Sequence, residues 1–147
     1  MPEAYTIVLT DAPDPADAQV VHKGLEAYNV ARTGPIGYRP LALFVRDAEG
    51  RVAGGLLGCT YWGWLYVEIL WVDEPLRGQG YGGRLLDMAE QDGLRRGCHH
   101  AHLDTMSFQA LPFYLARGYT QWGELQDLPL GYKRHFLQKA LKPAVPG

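Results

Sequence analysis

Eight residues, Arg77-Gly78-Gln79-Gly80-Tyr81-Gly82-Gly83-Arg84, separate a strongly apolar stretch, 65–72, from a helical pattern that opens with Leu85 and Leu86. Few arrangements constrain a fold more. Glycine has no Cβ, so such a chain turns sharply and lets successive backbone N–H groups approach one anion. A helix starting there adds the positive end of its dipole. The junction predicts a strand, a phosphate-binding turn and a helix, with a pyrophosphate as the natural guest.

The spacing narrows the guest. Gly78, Gly80 and Gly83 spell GxGxxG, and Asp104 follows about twenty residues on, as in a dinucleotide-binding unit. Two features oppose that reading. Residues 73–77 stand between the strand and the first glycine, and Pro75 cannot continue a central strand. Most predicted strands also precede the junction, whereas a dinucleotide unit lies early with strands after it. A mononucleotide loop fails because no Gly-Lys-Ser/Thr follows the glycines.

The run from Val72, read as Val-Asp-Glu-Pro-x-x-Arg-Gly-x-Gly-Tyr-Gly, resembles the acyl-CoA-binding motif of the GNAT superfamily of N-acetyltransferases, with Arg77, Gly80 and Gly82 in its three fixed places. A second element, Ala110-x-x-Phe113-Tyr114-x-x-x-Gly118-Tyr119, resembles that superfamily's closing motif, in which a tyrosine-bearing helix ends at glycine and leads into a strand. The resemblance spans nearly the whole chain. It implies an α/β (α+β) fold: one domain with a mixed, mostly antiparallel sheet of about six to seven strands, splayed between strands 4 and 5 and flanked by helices.

At 147 residues and 47% apolar composition, the chain suits one domain over 1–141 with a frayed tail, 142–147. A net charge of −2 and the absence of a basic run argue against nucleic acid as a ligand. No basic leader or long apolar run is present, so the expectation is a cytoplasmic, soluble protein without a membrane partner. Cys59 and Cys98 are far apart and match no metal spacing; His99, His100 and His102 lack the further donors a metal needs. The expectation is therefore no metal.

Residues 5–9 alternate as a first strand would. Asp14 and Pro15 open a helix whose Ala18, Val21, Leu25 and Tyr28 fall at helical spacing until Gly34-Pro35. Strands are expected at 41–46 and 51–61, then 65–72, whose nearly unbroken apolar character predicts burial on both faces. Gly54, Gly55 and Gly58 predict a bulge or a close approach to the backbone. A helix to about Arg96, a short parallel strand at 101–105, a helix capped by Ser107 and strands at 119–123 and 132–137 complete the chain.

Glu68 is the one charge in the fourth strand and the leading catalytic candidate; the alternatives are a structural ion pair or an edge position facing water. The resemblance implies acetyl-CoA as co-substrate and direct transfer to an amine. In that reading residues Gly78, Gln79, Gly80, Tyr81, Gly82 and Gly83, with Arg77, hold the pyrophosphate. Main-chain groups of Leu70, Trp71 and Val72 meet the pantetheine arm, Glu68 acts as general base and Tyr114 as general acid. Ser107 stands where relatives carry an asparagine that contacts the arm. The same resemblance makes Tyr28, Asn29 and Tyr38 acceptor contacts, though the pattern alone fits a helix packed on a sheet equally well.

Trp62, Trp64, Tyr66, Trp71 and Trp122 could bind a small cationic amine, or fill a core or a homodimer interface. A peptide amine is a further acceptor. Two competing functions stay open: a non-catalytic acyl-CoA-binding sensor, and an NAD-binding protein.

Overall fold

The computed structural model describes residues 4–143, in two compact units that meet in sequence at Ile36 and Gly37. The expected tail falls mainly on 144–147, outside the described residues.

In the first unit, helix α1 spans Pro15–Thr33. Its start follows the sequence closely: the Asp14 side chain accepts from the Ala16 N–H at 2.8 Å, and Pro15 occupies the first turn, where no N–H is needed. Gly34, at φ 74°, ends the helix where a side chain would be strained. Residues 5–9 form no strand, which corrects the expectation. Period-two alternation supplies two faces, but a strand also needs a ladder, and these residues have none.

The second unit carries six strands: β1 (Arg39–Arg46), β2 (Val52–Tyr61), β3 (Trp64–Val72), β4 (His100–Met106), β5 (Thr120–Gln126) and β6 (Lys133–Ala140). Their order in the sheet is β1-β2-β3-β4-β6-β5, antiparallel except for β3 beside β4. Helix α2 (Tyr81–Arg95) joins that parallel pair, as a parallel crossover requires, and α3 (Leu111–Ala116) joins β4 to β5. Leu85, Leu86 and Ala89 of α2 are buried with Leu56, Leu65, Val67, Ala101, Leu103 and Leu137 of the sheet. Each fully buried leucine contributes roughly 1.5–3 kcal/mol. Glu90 anchors the same helix, accepting from the Tyr119 hydroxyl at 2.9 Å and from Lys139 Nζ at 2.7 Å.

Two irregularities break this sheet along β3. In the β2/β3 ladder Leu57 faces Ile69 while Gly58 faces Val67, so Glu68 is an extra residue bulged out of β3. Gly58 permits it: a Cβ there would collide with the Tyr66 carbonyl oxygen. The expected bulge therefore has a definite place.

The second irregularity is the splay. β3 and β4 pair from Trp64–His100 to Val67–Leu103 and no further, whereas β3 runs on to Val72 and β4 to Met106. These are the fourth and fifth strands of the sequence reading, and the sheet opens between them as expected.

The opening corrects another expectation. β3 is not buried on both faces, for Ile69 and Trp71 are 49% and 48% exposed and Glu68 is exposed too. Beyond Val67 the strand has one sheet neighbour instead of two, so its apolar residues line a wedge. Apolar composition signals removal from water, but a cleft awaiting a ligand carries the same signature.

Candidate active site

A cleft of about 650 Å³ occupies the wedge between the parted strands. One wall is β3 from Val67 to Val72; the other includes Asp104 and Thr105 of β4, with Gln109, Phe113 and Tyr114 beyond it. Arg77 and Gly82 close the end from which α2 departs.

That end is built from backbone donors. Helix α2 begins at Tyr81, four residues before the expected start, so Gly82 and Gly83 belong to its first turn. The Arg84 N–H bonds to the Gly80 carbonyl, and no acceptor among the described residues takes the N–H groups of residues 78–83. Gly78 and Gly80 stand at φ 78° and 85°, a region that side chains strain to adopt, and a Cβ on either would meet only open space. Such a row of unpaired donors at a helix N-terminus fits a diphosphate. Arg77 Nε donates to the Val72 carbonyl at 3.0 Å, which fixes its guanidinium beside the cleft.

Tyr114 is 6% exposed, its ring edge-on to Phe113 and Tyr119, and it lines the cleft. Its hydroxyl takes no hydrogen bond from the described residues and is not among the fully buried unpaired atoms, which leaves it open to the cleft. Burial, then the charge of Asp104, pushes its pKa up to about 12. The phenol therefore stays protonated throughout the neutral range, as a proton donor must.

Glu68 lines the same cleft from the bulge, with no salt bridge among the described residues. Its charge still reaches its neighbours. Burial first, then Glu68, raises the thiol pKa of Cys59, and burial raises that of Cys98. Neither cysteine has the depressed pKa of an activated nucleophile.

Other expected residues lie elsewhere. Ser107 Oγ accepts from the Lys133 N–H at 3.0 Å, and its own N–H donates to the Lys133 carbonyl at 2.8 Å; the residue pins a turn to β6 and does not line the cleft. It does not cap α3 either, whose N-cap position is Ala110. Gln109, which sequence reasoning misses, takes the cleft position. Its Oε1 accepts from the Met106 N–H at 2.8 Å and from Thr105 Oγ1 at 3.2 Å, which leaves its amide nitrogen available as a donor. The one signal is a carboxamide two residues beyond Ser107, at a register that turn geometry alone decides.

Tyr28 and Asn29 lie in α1 of the first unit, where the Arg32 guanidinium sits 3.6 Å from the centre of the Tyr28 ring. Tyr38, exposed just before β1, does not line the cleft. His100 and His102 engage aromatic rings, and among the described residues no three His, Cys, Asp or Glu side chains gather as a metal site would require. Among those residues no helix is long and apolar enough to cross a membrane.

A sheet split beside a parallel pair, with a helix N-terminus at the mouth of the split, fits a long ligand that carries a diphosphate. Comparison with known proteins makes the class specific. The model of the acetyltransferase (GNAT) family matches residues 5–119. An acetyltransferase of Agrobacterium fabrum is 42% identical over 132 residues, 90% of this chain and 96% of that protein. The blasticidin-S acetyltransferase of Streptomyces morookaense is 40% identical over 114 residues, 75% of this chain and 84% of the relative. A crystal structure assigned to the acetyltransferases, from Agrobacterium tumefaciens, superposes with a TM-score of 0.88 at 40% identity, covering 92% of this chain and 99% of that one. The chain belongs to the GNAT family of acetyltransferases.

Proposed function

We propose that this acetyltransferase moves an acetyl group from acetyl-CoA directly to the primary amine of a small molecule, within a single domain. The observation that carries the reading is the wedge itself: a cleft that runs from N–H groups at the start of α2 to a tyrosine hydroxyl and a carboxylate, all without partners among the described residues. That a blasticidin-S acetyltransferase is among the relatives favours a small molecule over a peptide as acceptor.

When bound, acetyl-CoA supplies an acetyl group activated as a thioester. The N–H groups of residues 78–83 hold its diphosphate, with Arg77 adding positive charge. Main-chain groups of Leu70, Trp71 and Val72 on the open edge of β3, together with the Gln109 amide, meet the polar arm. One N–H of that edge, from Trp71 or Val72, stabilises the negative charge that grows on the thioester oxygen as nitrogen attacks. An amine is mostly protonated near neutrality, and Glu68 accepts its proton, directly or through water. A carbon–nitrogen bond forms, the carbon–sulfur bond breaks, and the Tyr114 phenol delivers a proton to the departing sulfur.

The test combines two assays. Acetyl-CoA should raise the melting temperature while NAD does not, and a panel of small amines should release free CoA thiol. Stabilisation with no thiol release for any amine would favour a sensor, and stabilisation by NAD alone would contradict the site. Glu68→Gln is expected to lower turnover about tenfold or more at neutral pH. The deficit should shrink as pH rises, because more acceptor is then already deprotonated. Equal rates for variant and wild type at every pH would leave the carboxylate without a part in proton transfer.

A further inference from the structure

Away from the cleft, at the opposite end of β3, a second pocket of about 420 Å³ is walled by Tyr61, Trp62, Trp64, His102, Trp122 and Gln138. Four of the six are large aromatics, brought together by the tip of the β2–β3 hairpin and by the irregular step in the β5/β6 ladder at Trp122. Such rings normally cover themselves. Here Trp62 is 47% and Trp122 60% exposed.

The walls are held in place. Trp64 stacks on His100 at 4.7 Å and 22°, His102 stacks on Tyr66 at 4.8 Å and 19°, and the Tyr61 hydroxyl lies 2.9 Å from His102 Nε2. Trp62 also holds a backbone conformation that bulky side chains avoid. The turn joining β2 to β3 has φ 47° at Trp62 and 75° at Gly63, the two-residue form that prefers asparagine or glycine at its first position.

Among the described residues no Lys or Arg lines the pocket. Burial, partly offset by the charge of Asp104, lowers the proton affinity of His102 and so disfavours a positive charge there. Arg134, on the adjoining strand β6, is committed to Asp104 at 2.6 Å. Ring faces therefore dominate the potential inside, and ring faces attract cations.

We propose that this pocket binds a permanently cationic group of the acceptor, a quaternary ammonium or a guanidinium, remote from the amine that is acetylated. The inference rests on the acceptor reading above and extends it to a molecule with two ends. Trp64 lies four residues before Glu68 on β3, a span of roughly 13 Å at about 3.3 Å per residue. The acceptor's cation and its reacting nitrogen are separated by a distance of that order.

The test uses the full chain, choline as the cationic probe and 3,3-dimethylbutan-1-ol as its uncharged isostere, followed by tryptophan fluorescence. Choline should give saturable quenching with an affinity about fivefold or more above the isostere, and Trp122→Leu should remove that preference. The exposed position of Trp122 keeps the variant folded, which its acetyl-CoA thermal shift verifies. Trp64→Leu should act in the same direction. Equal affinity for the two probes, quenching that does not saturate, or a preference that survives both substitutions would overturn the proposal. So would a concentration-dependent dimer that Trp122→Leu dissociates, since a second copy would then fill the pocket. Choline preference without acetyl-CoA binding would instead contradict the transferase reading and leave the pocket's assignment standing.

Discussion

Tyr114→Phe is expected to lower kcat by about 100-fold or more while leaving the acetyl-CoA affinity within about twofold of wild type. The substitution removes one oxygen from a ring that is 6% exposed and edge-on to two aromatic neighbours. That oxygen has no partner among the described residues, so its loss strands no buried donor or acceptor and the fold should keep its stability. What disappears is the proton for the departing sulfur. The pH profile sharpens the assignment, because a phenol with a pKa pushed up to about 12 remains protonated far above neutrality. Wild-type kcat should show no falling limb from this group below about pH 11. A thiol-release assay over that range tests both statements. Unchanged turnover in the phenylalanine variant would remove Tyr114 from the acid role.

Gly80→Asp should weaken acetyl-CoA binding about 100-fold or more, while the strain of a side chain at positive φ costs only about 1–2 kcal/mol in stability. The two effects separate because aspartate suits the helix and not the ligand. A Cβ at Gly80 meets no atom, and aspartate tolerates positive φ better than most residues. At the N-cap its carboxylate bonds the free N–H groups of the first turn and complements the helix dipole. Those are the donors assigned to the diphosphate, and the new charge repels that group as well. Isothermal titration gives the affinity and urea denaturation gives the stability. A variant that binds as wild type does would place the diphosphate elsewhere.

The parts of this protein that are legible in its sequence are those set by local chemistry. Asp14, Pro15 and Gly34 delimit α1 because caps act within a few residues, and Gly97 and Gly118 at positive φ follow α2 and α3 for the same reason. The glycine run before α2 is legible too, apart from the start of the helix: glycines read as loop, yet the last two sit in the first turn. Partnership is not legible. Residues 5–9 carry the alternation of a strand without a ladder, and residues 65–72 carry the composition of a buried strand while those from Val67 to Val72 line a wedge.

Glu68 shows how a choice of residue can rest on an incomplete reason. As a carboxylate among apolar residues it reads as a mid-core charge; in fact a bulge opposite Gly58 carries it out into the open cleft. A charge there needs no burial to be available to a substrate. Gln109 and Ser107 mark the limit of counting along a chain. Both lie within a turn, and its hydrogen bonds to Met106 and Lys133 decide which one faces the cleft.

In the proposed mechanism the start of α2 grips a diphosphate so that a thioester lies in the wedge between β3 and β4. Backbone amide hydrogen exchange with and without acetyl-CoA tests it most directly. Strong protection is expected at residues 78–83 and along the open edge of β3 from Glu68 to Val72, with the far ends of β5 and β6 unaffected. Saturating acetyl-CoA that leaves the amides of residues 78–83 exchanging at their free rate would contradict it.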